Sequence, residues 1–262
     1  MSKFPRGVLL RFIAQKIEVF HKRRLDKLME LRLDEVLRRK NPYLFRAKAL
    51  ETAQELVSSI LDAHLSSQEE GIFGEFLEEL ARFVSQKSCG GRKSSSSGID
   101  LEFTRDGTYY LVSIKSGPNW GNSQQIERMK DNFRRAARTL RTNNRVATPI
   151  VAVDGCCYGK DESPDKGEYF KYCGQRFWEF LSGDTNLYVE IIEPLGQVAR
   201  QRNVNFLVEY GKVINKFSLE FGKQYCRADG AILWEKLVKF NSGKTDRRRR
   251  AGRTVLKGAD PI

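Results

Sequence analysis

The sequence predicts an α/β fold, a mixed β-sheet flanked by helices and preceded by a helical arm. Three observations predict it. Two short runs rich in aromatic and β-branched residues flank Asp106-Gly107, a strong hairpin signal. A third apolar run, Pro149 to Val153, follows an amphipathic helical segment, so the order is strand, strand, helix, strand. The first 66 residues carry helical periodicity.

The elements follow in order. From about Gly7 to Arg39, Leu10, Ile13, Ile17, Phe20, Leu25, Leu28, Leu31 and Val36 recur at helical spacing, and Pro42 ends the run. Leu44 to Leu65 repeats the pattern. This N-terminal region, 1–66, is either core packing or a dimerisation element. Gly71 to Phe83 reads as a shorter helix with Glu75, Glu78 and Glu79 on one face, either a solvated acidic face or part of a site. Ser85 to Gly98, with a run of serines at Ser94–Ser97 and paired glycines, reads as a flexible loop able to order on a ligand. Asp100 then opens the first hairpin strand and Lys115 closes the second. Ser116 to Asn122 is a polar turn carrying Trp120.

Ser123 to Leu140 is a helix with a buried stripe of Ile126, Met129, Phe133, Ala136, Ala137 and Leu140, and arginines and lysines elsewhere. The strand at Pro149–Val153 is expected to end at Asp154-Gly155, and Asp154 to Gly174 to be loop. Arg176 to Ser182 is a short helix closed by Gly183. Leu187 to Leu195 reads as a β-rich run, and Gln197 to Cys226 as a long helix. Asp229 is expected to N-cap a last helix, Ala231 to Phe240. Residues 67–243 would thus form the core with its C-terminal helices. From Lys244 to residue 262 the chain reads as a basic, disordered tail, either solvated or touching phosphates.

Composition narrows the function. The 262 residues hold 46 Lys+Arg against 33 Asp+Glu, a formal charge of +13, which favours a polyanionic partner, nucleic acid first. No apolar run approaches the roughly 18 residues a membrane span needs, and the N-terminus does not read as a signal peptide. A cytoplasmic location, with no membrane, is expected. Five cysteines without a CxxC pair and two histidines argue against a structural zinc site and against a His-based nucleophilic triad.

The chemistry concentrates at the hairpin. A carboxylate and an amine at one end of a sheet, beside a glycine break, can hold a divalent metal and an activated water, the outline of a metal-dependent phosphodiesterase. The same residues also suit a loop-capping Asp and a solvated Lys.

Gly98-Ile99-Asp100 followed by Ser113-Ile114-Lys115 resembles the active-site hairpin of the PD-(D/E)XK nuclease superfamily, with serine in place of the usual second acid. Asn41-Pro42-Tyr43-Leu44-Phe45, Phe73-Gly74, Ser116-Gly117, Phe177-Trp178-Glu179-Phe180-Leu181 and Ala228-Asp229-Gly230 followed by Trp234-Glu235-Lys236-Leu237 extend the likeness over most of residues 41 to 243. The ordered set is similar to type II restriction endonucleases, most to those cutting palindromes with a GG…CC core interrupted by a central base.

The resemblance implies a Mg²⁺-dependent, sequence-specific endonuclease that cuts double-stranded DNA and leaves 5′-phosphates. It implies Asp100 as central metal ligand, the Ile114 carbonyl as another, and Lys115 polarising the attacking water. Because Ser113 removes a carboxylate, a second acid is needed: Glu127 on the following helix or Glu79 on the preceding one, with Glu102 a weaker candidate. Asn119, Trp120, Asn122, Gln124, Gln125 and Arg128, beside Lys115, are candidates for contacting bases or phosphates, and Lys160 a further basic one. A palindromic target implies a homodimer, with the N-terminal helices as its interface, and restriction implies a cognate DNA methyltransferase. Two other readings are a structure-specific repair or junction nuclease of the same fold and a non-catalytic DNA-binding protein.

Overall fold

The structure is a computed structural model that describes residues 4–142 and 148–244. Thirteen elements run α1 (Arg6–Glu30), α2 (Leu33–Arg39), α3 (Pro42–Ala47), α4 (Ala53–Cys89), β1 (Leu101–Arg105), β2 (Thr108–Lys115), α5 (Ser123–Thr142), β3 (Ile150–Cys156), β4 (Phe170–Cys173), α6 (Gln175–Ser182), α7 (Leu187–Glu190), α8 (Ile192–Tyr225) and α9 (Trp234–Ser242) among the described residues. They divide into two compact units, Met1–Asp26 with Gln68–Leu207 and Lys27–Ser67 with Val208–Ile262. After Lys244, the residues of the anticipated tail lie outside those described.

The first unit holds the expected mixed sheet, in the order β1-β2-β3-β4. β1 and β2 are antiparallel, and β2, β3 and β4 are parallel. The β1–β2 turn is Asp106-Gly107, both at positive φ (49° and 72°), as a two-residue type I′ hairpin requires. Helices cover both faces of the sheet, so β2 is buried almost throughout. On one face Phe103, Val112, Ile114 and Val153 pack with Leu80 and Val84 of α4, Leu9 and Ile13 of α1, and Phe177 and Leu181 of α6. On the other, Tyr109 and Leu111 meet Met129, Phe133, Ala136 and Leu140, the apolar stripe of α5.

Several boundaries differ from the sequence reading. β3 does not stop at Asp154-Gly155 but runs on to Cys156, and the supposed loop after it contains β4, pairing Asp154 with Lys171 and Cys156 with Cys173. Leu187–Leu195 is helical, not β. Leu187 and Ile191, four apart, both enter the core, so burial at helical spacing overrides β propensity. Pro194 falls in the first turn of α8, where no intrahelical donor is lost. The helix expected over Leu44–Leu65 is broken after Ala47, and its part from Ala53 on is continuous with the one expected after Gly71, as the 37-residue α4. Gly71 faces open space there, so it costs only its propensity, about 1 kcal/mol. Nor is the segment after α4 loose. Arg92 and Glu102 form a backbone bridge, and Ser94 Oγ donates to Glu102 Oε2 at 2.8 Å.

In the second unit, α2 and α3 pack on α9. Asn41 caps α3, its Oδ1 accepting from the N–H groups of Tyr43 (3.0 Å) and Leu44 (3.4 Å), with Pro42 at the first helical position. Asn241 Nδ2 donates to the carbonyls of Leu37 (2.7 Å) and Lys40 (3.1 Å), filling acceptors that the end of α2 leaves open. Asp229 does not cap α9. Its Oδ1 accepts from Ala231 N–H at 3.0 Å inside a turn, and the residue preceding α9 is Leu233.

His64 is buried in this unit, and burial, then the charges of Lys40 and Arg39, hold its imidazole below the ordinary value. A lowered imidazole contributes stability that is complete above the unfolded value, near pH 6.5, and is lost as pH falls from there toward the folded one. Urea melts at pH 7.5 and pH 5.5 should show a larger loss for the native chain than for His64→Gln; equal losses would sink this assignment.

Candidate active site

Strand register assembles the site. Ser113 pairs with Asp154, and Asp154 with Lys171. Asp100 lies one residue before the Leu101–Val112 rung, with no register partner of its own, and its N–H bonds Val112 O at 2.9 Å. Partners in register share a face, so Ser113, Asp154 and Lys171 form one row, with Lys115 two residues on from Ser113 on the same face.

Asp100 Oδ2 accepts from Ile114 N–H at 2.7 Å and from Ser113 Oγ–H at 3.4 Å. In a strand a residue's N–H and C=O point to the same side, so the Ile114 carbonyl also lies on the Asp100 side. The Lys115 carbonyl points the other way and accepts from Cys157 N–H at 2.9 Å. Asp100 and Lys115 are both half-buried, and each lies within electrostatic reach of Glu78 and Asp154. The Lys115 ammonium sits over the Trp120 ring, 5.0 Å from its centroid. A cleft of about 470 Å³ opens here, walled by Glu70, Gly74 and Glu78 of α4 and by Lys115, Asn119 and Trp120. Gly74 lets α4 come close: a Cβ there would stand 2.7 Å from Ser116 Oγ.

Helical phase sorts the acids of α4. Glu75 and Glu79, four apart, turn to the basic side of α1, where Glu75 pairs with Arg23 (2.6 Å) and Glu79 with Lys16 (2.8 Å). Glu70, Gly74 and Glu78 share the cleft face. So Glu75, Glu78 and Glu79 do not act as one face, and the α4 acid near Asp100 is Glu78 rather than Glu79. Burial first, then the charge of Asp100, push the Glu78 carboxyl up, against the pull of Arg82 and Lys115.

The other proposed acids are engaged elsewhere. Glu127 is 55% exposed and joins a surface network, bonded to Arg134 at 3.0 Å and paired with Lys130 at 3.5 Å, both of which also bind Glu168. Glu102 is buried with its two oxygens held by Arg92 Nε and Ser94 Oγ, so it supports the loop instead of facing the cleft. Among the base-contact candidates, Asn122 and Gln125 form a reciprocal capping box at the start of α5, each side-chain oxygen accepting from the other's N–H at 3.0 and 2.9 Å. Trp120 is half-buried and donates its indole N–H to Asp154. Asn119, Gln124, Arg128 and Lys160 are exposed.

Asp154 is the residue that sequence reasoning missed. Asp-Gly after an apolar run looked like a strand terminator. Pairing on both edges, with β2 and with β4, carries the strand past it to Cys156, and Asp154 is left 1% exposed. Gly155 beside it was the available signal, for a Cβ there would collide with the Phe177 ring of α6.

A family model for type II restriction endonuclease EcoO109I matches residues 8–203, most of the chain and all of this site. The chain belongs to that family of type II restriction endonucleases. DNA is therefore its partner, and no helix among the described residues is long and apolar enough to cross a membrane. No curated protein matches the chain.

Gly155→Ala should destabilise the protein by about 1–3 kcal/mol through overpacking against Phe177. Urea titration measures it, and an unchanged midpoint would mean that α6 yields freely.

Proposed function

We propose that the chain is a Mg²⁺-dependent, site-specific deoxyribonuclease of the PD-(D/E)XK type. It hydrolyses phosphodiester bonds in both strands as a homodimer and leaves 5′-phosphates. The observation that carries this reading is the convergence of the Asp100 carboxylate, the Ile114 carbonyl and the Lys115 ammonium at one end of β2, beside a cleft.

The donor set suits Mg²⁺, which takes oxygen ligands and often only one or two carboxylates, the remainder being water and substrate phosphate. Asp100, Glu78 and the Ile114 carbonyl would hold it. Three or more His, Cys, Asp or Glu do not cluster as a metal centre among the described residues. Burial first, then the like charge of Asp100, raise the Glu78 carboxyl, and a cation bound there would offset both. When bound, the ion polarises a phosphate oxygen and makes its water more acidic.

The chain's own residues do the rest. Asp100 is oriented by Ile114 N–H and Ser113, which fixes the carboxylate before substrate arrives. Lys115 steadies the attacking hydroxide and the charge that builds on phosphorus, where positioning and electrostatics carry most of the catalysis. Exposed arginines of α5 (Arg128, Arg135, Arg138 and Arg141) and the +13 charge supply phosphate contacts. The N-terminal helices remain the proposed dimer interface, and a methyltransferase that protects the host's own sites the proposed functional partner.

Plasmid digested with Mg²⁺ should give discrete bands; smearing or intact DNA would argue against the reading. Asp100→Ala and Lys115→Ala should each lower cleavage by at least about 10²–10³-fold while DNA binding in Ca²⁺ persists. Glu78→Gln should cost a comparable factor, whereas Glu79→Gln and Glu127→Gln should cut at nearly the native rate. Normal cutting by Glu78→Gln would remove it from the metal site.

A further inference from the structure

We propose that Asp154 and Trp120 form a positioning unit that holds the Lys115 ammonium at the cleft. It rests on the nuclease reading for what Lys115 does, but not for where Lys115 is held. Asp154 Oδ2 accepts from Trp120 Nε1 at 3.1 Å, and the ring so fixed carries the Lys115 ammonium on its face, 5.0 Å from the centroid. A cation over an indole face is attracted by the ring quadrupole, so orienting the ring orients the lysine.

Asp154 does more than satisfy an indole N–H. Trp178, also buried, has its Nε1 satisfied by a main-chain carbonyl, Cys157 O at 2.8 Å. A neutral acceptor is therefore enough for that task in this protein. Asp154 instead brings a carboxylate almost wholly out of water, and its Oδ1 is buried with no partner. Burial raises this carboxyl and the Trp120 bond opposes the rise, helped by Lys115 and Lys171, while the nearby charge of Asp100 adds to it. A buried negative group facing two lysines favours keeping an ammonium nearby.

The loop between is built to hold the ring. Lys171 Nζ donates to Pro118 O at 2.8 Å, and Tyr158 N–H to Ser116 O at 3.0 Å. Gly117 packs so closely on the Tyr158 ring that a Cβ would collide with it. The Trp120 ring packs on the hydrophobic cluster that α5 makes with Tyr109 and Leu111, and its indole bond to Asp154 fixes the ring's angle there.

The test uses the full-length protein labelled with ¹³C at lysine Cε, the Lys115 signal being assigned by its loss in Lys115→Arg. The ring current should displace the Lys115 methylene resonance upfield. Asp154→Leu, which removes the acceptor at similar volume, should return it toward the position of exposed lysines and slow single-turnover plasmid cleavage by roughly 10–100-fold, with DNA binding in Ca²⁺ unchanged. A resonance that stays in place in Asp154→Leu overturns the proposal, even if cleavage falls. Should Asp154→Leu fail to fold, Trp120→Phe keeps a ring but loses the N–H, and an unmoved Lys115 signal there overturns it equally. A displaced signal in native protein that cuts no DNA, released by either variant, supports the positioning unit and sinks the nuclease reading instead.

Discussion

β2 has a neighbour on each edge, and the rest of the site depends on that double pairing. Its antiparallel contact with β1 ends at Leu101, so that Asp100 just before it bonds Ser113 and Ile114, and its parallel contact with β3 puts Asp154 on the other side. Because side chains alternate along a strand, a shift of one residue in either register would turn its partner's side chain to the opposite face. Both faces are already buried under helices, so such a slip would drive an acid into a hydrophobic cluster. Hydrophobic packing on the two faces thus enforces the polar row at the end.

Helical phase does for α4 what register does for the sheet. Residues four apart share a face, so Glu75 and Glu79 are held by cations of α1 while Glu70 and Glu78 look onto the cleft. A single step along the helix, from 79 to 78, separates a carboxyl paired with Lys16 of α1 from one paired with Arg82 of its own helix and raised by burial, then by Asp100.

Much of this was legible in the residues. The Asp106-Gly107 turn, the hairpin on either side of it and the stripe of α5 are local signals, and each element forms where its pattern lies. Asp100 and Lys115 could be singled out because a two-residue turn fixes which strand ends meet. Glu78 was less legible, because three acids at i, i+3 and i+4 look equivalent until the neighbouring helix is placed. Asp154 was illegible for a different reason. Asp-Gly is the commonest punctuation for a turn, and nothing local says that a four-residue edge strand will extend the pairing past it.

What the sequence determined by itself is whatever short-range geometry decides: the hairpin, the helix stripes, the closing glycine after α6, and the placing of Asp100 and Lys115 toward one end of the sheet. What tertiary structure decided is everything that needs a second element to define a direction. That includes the helical state of 187–195, chosen by the core contacts of Leu187 and Ile191 over their β propensity. It includes the turning of Glu79 toward α1 and Glu78 toward the cleft, and the burial of Asp154 under Trp120. Sequence distance carries no information about these, because the free energy of a side chain depends on which neighbour covers it.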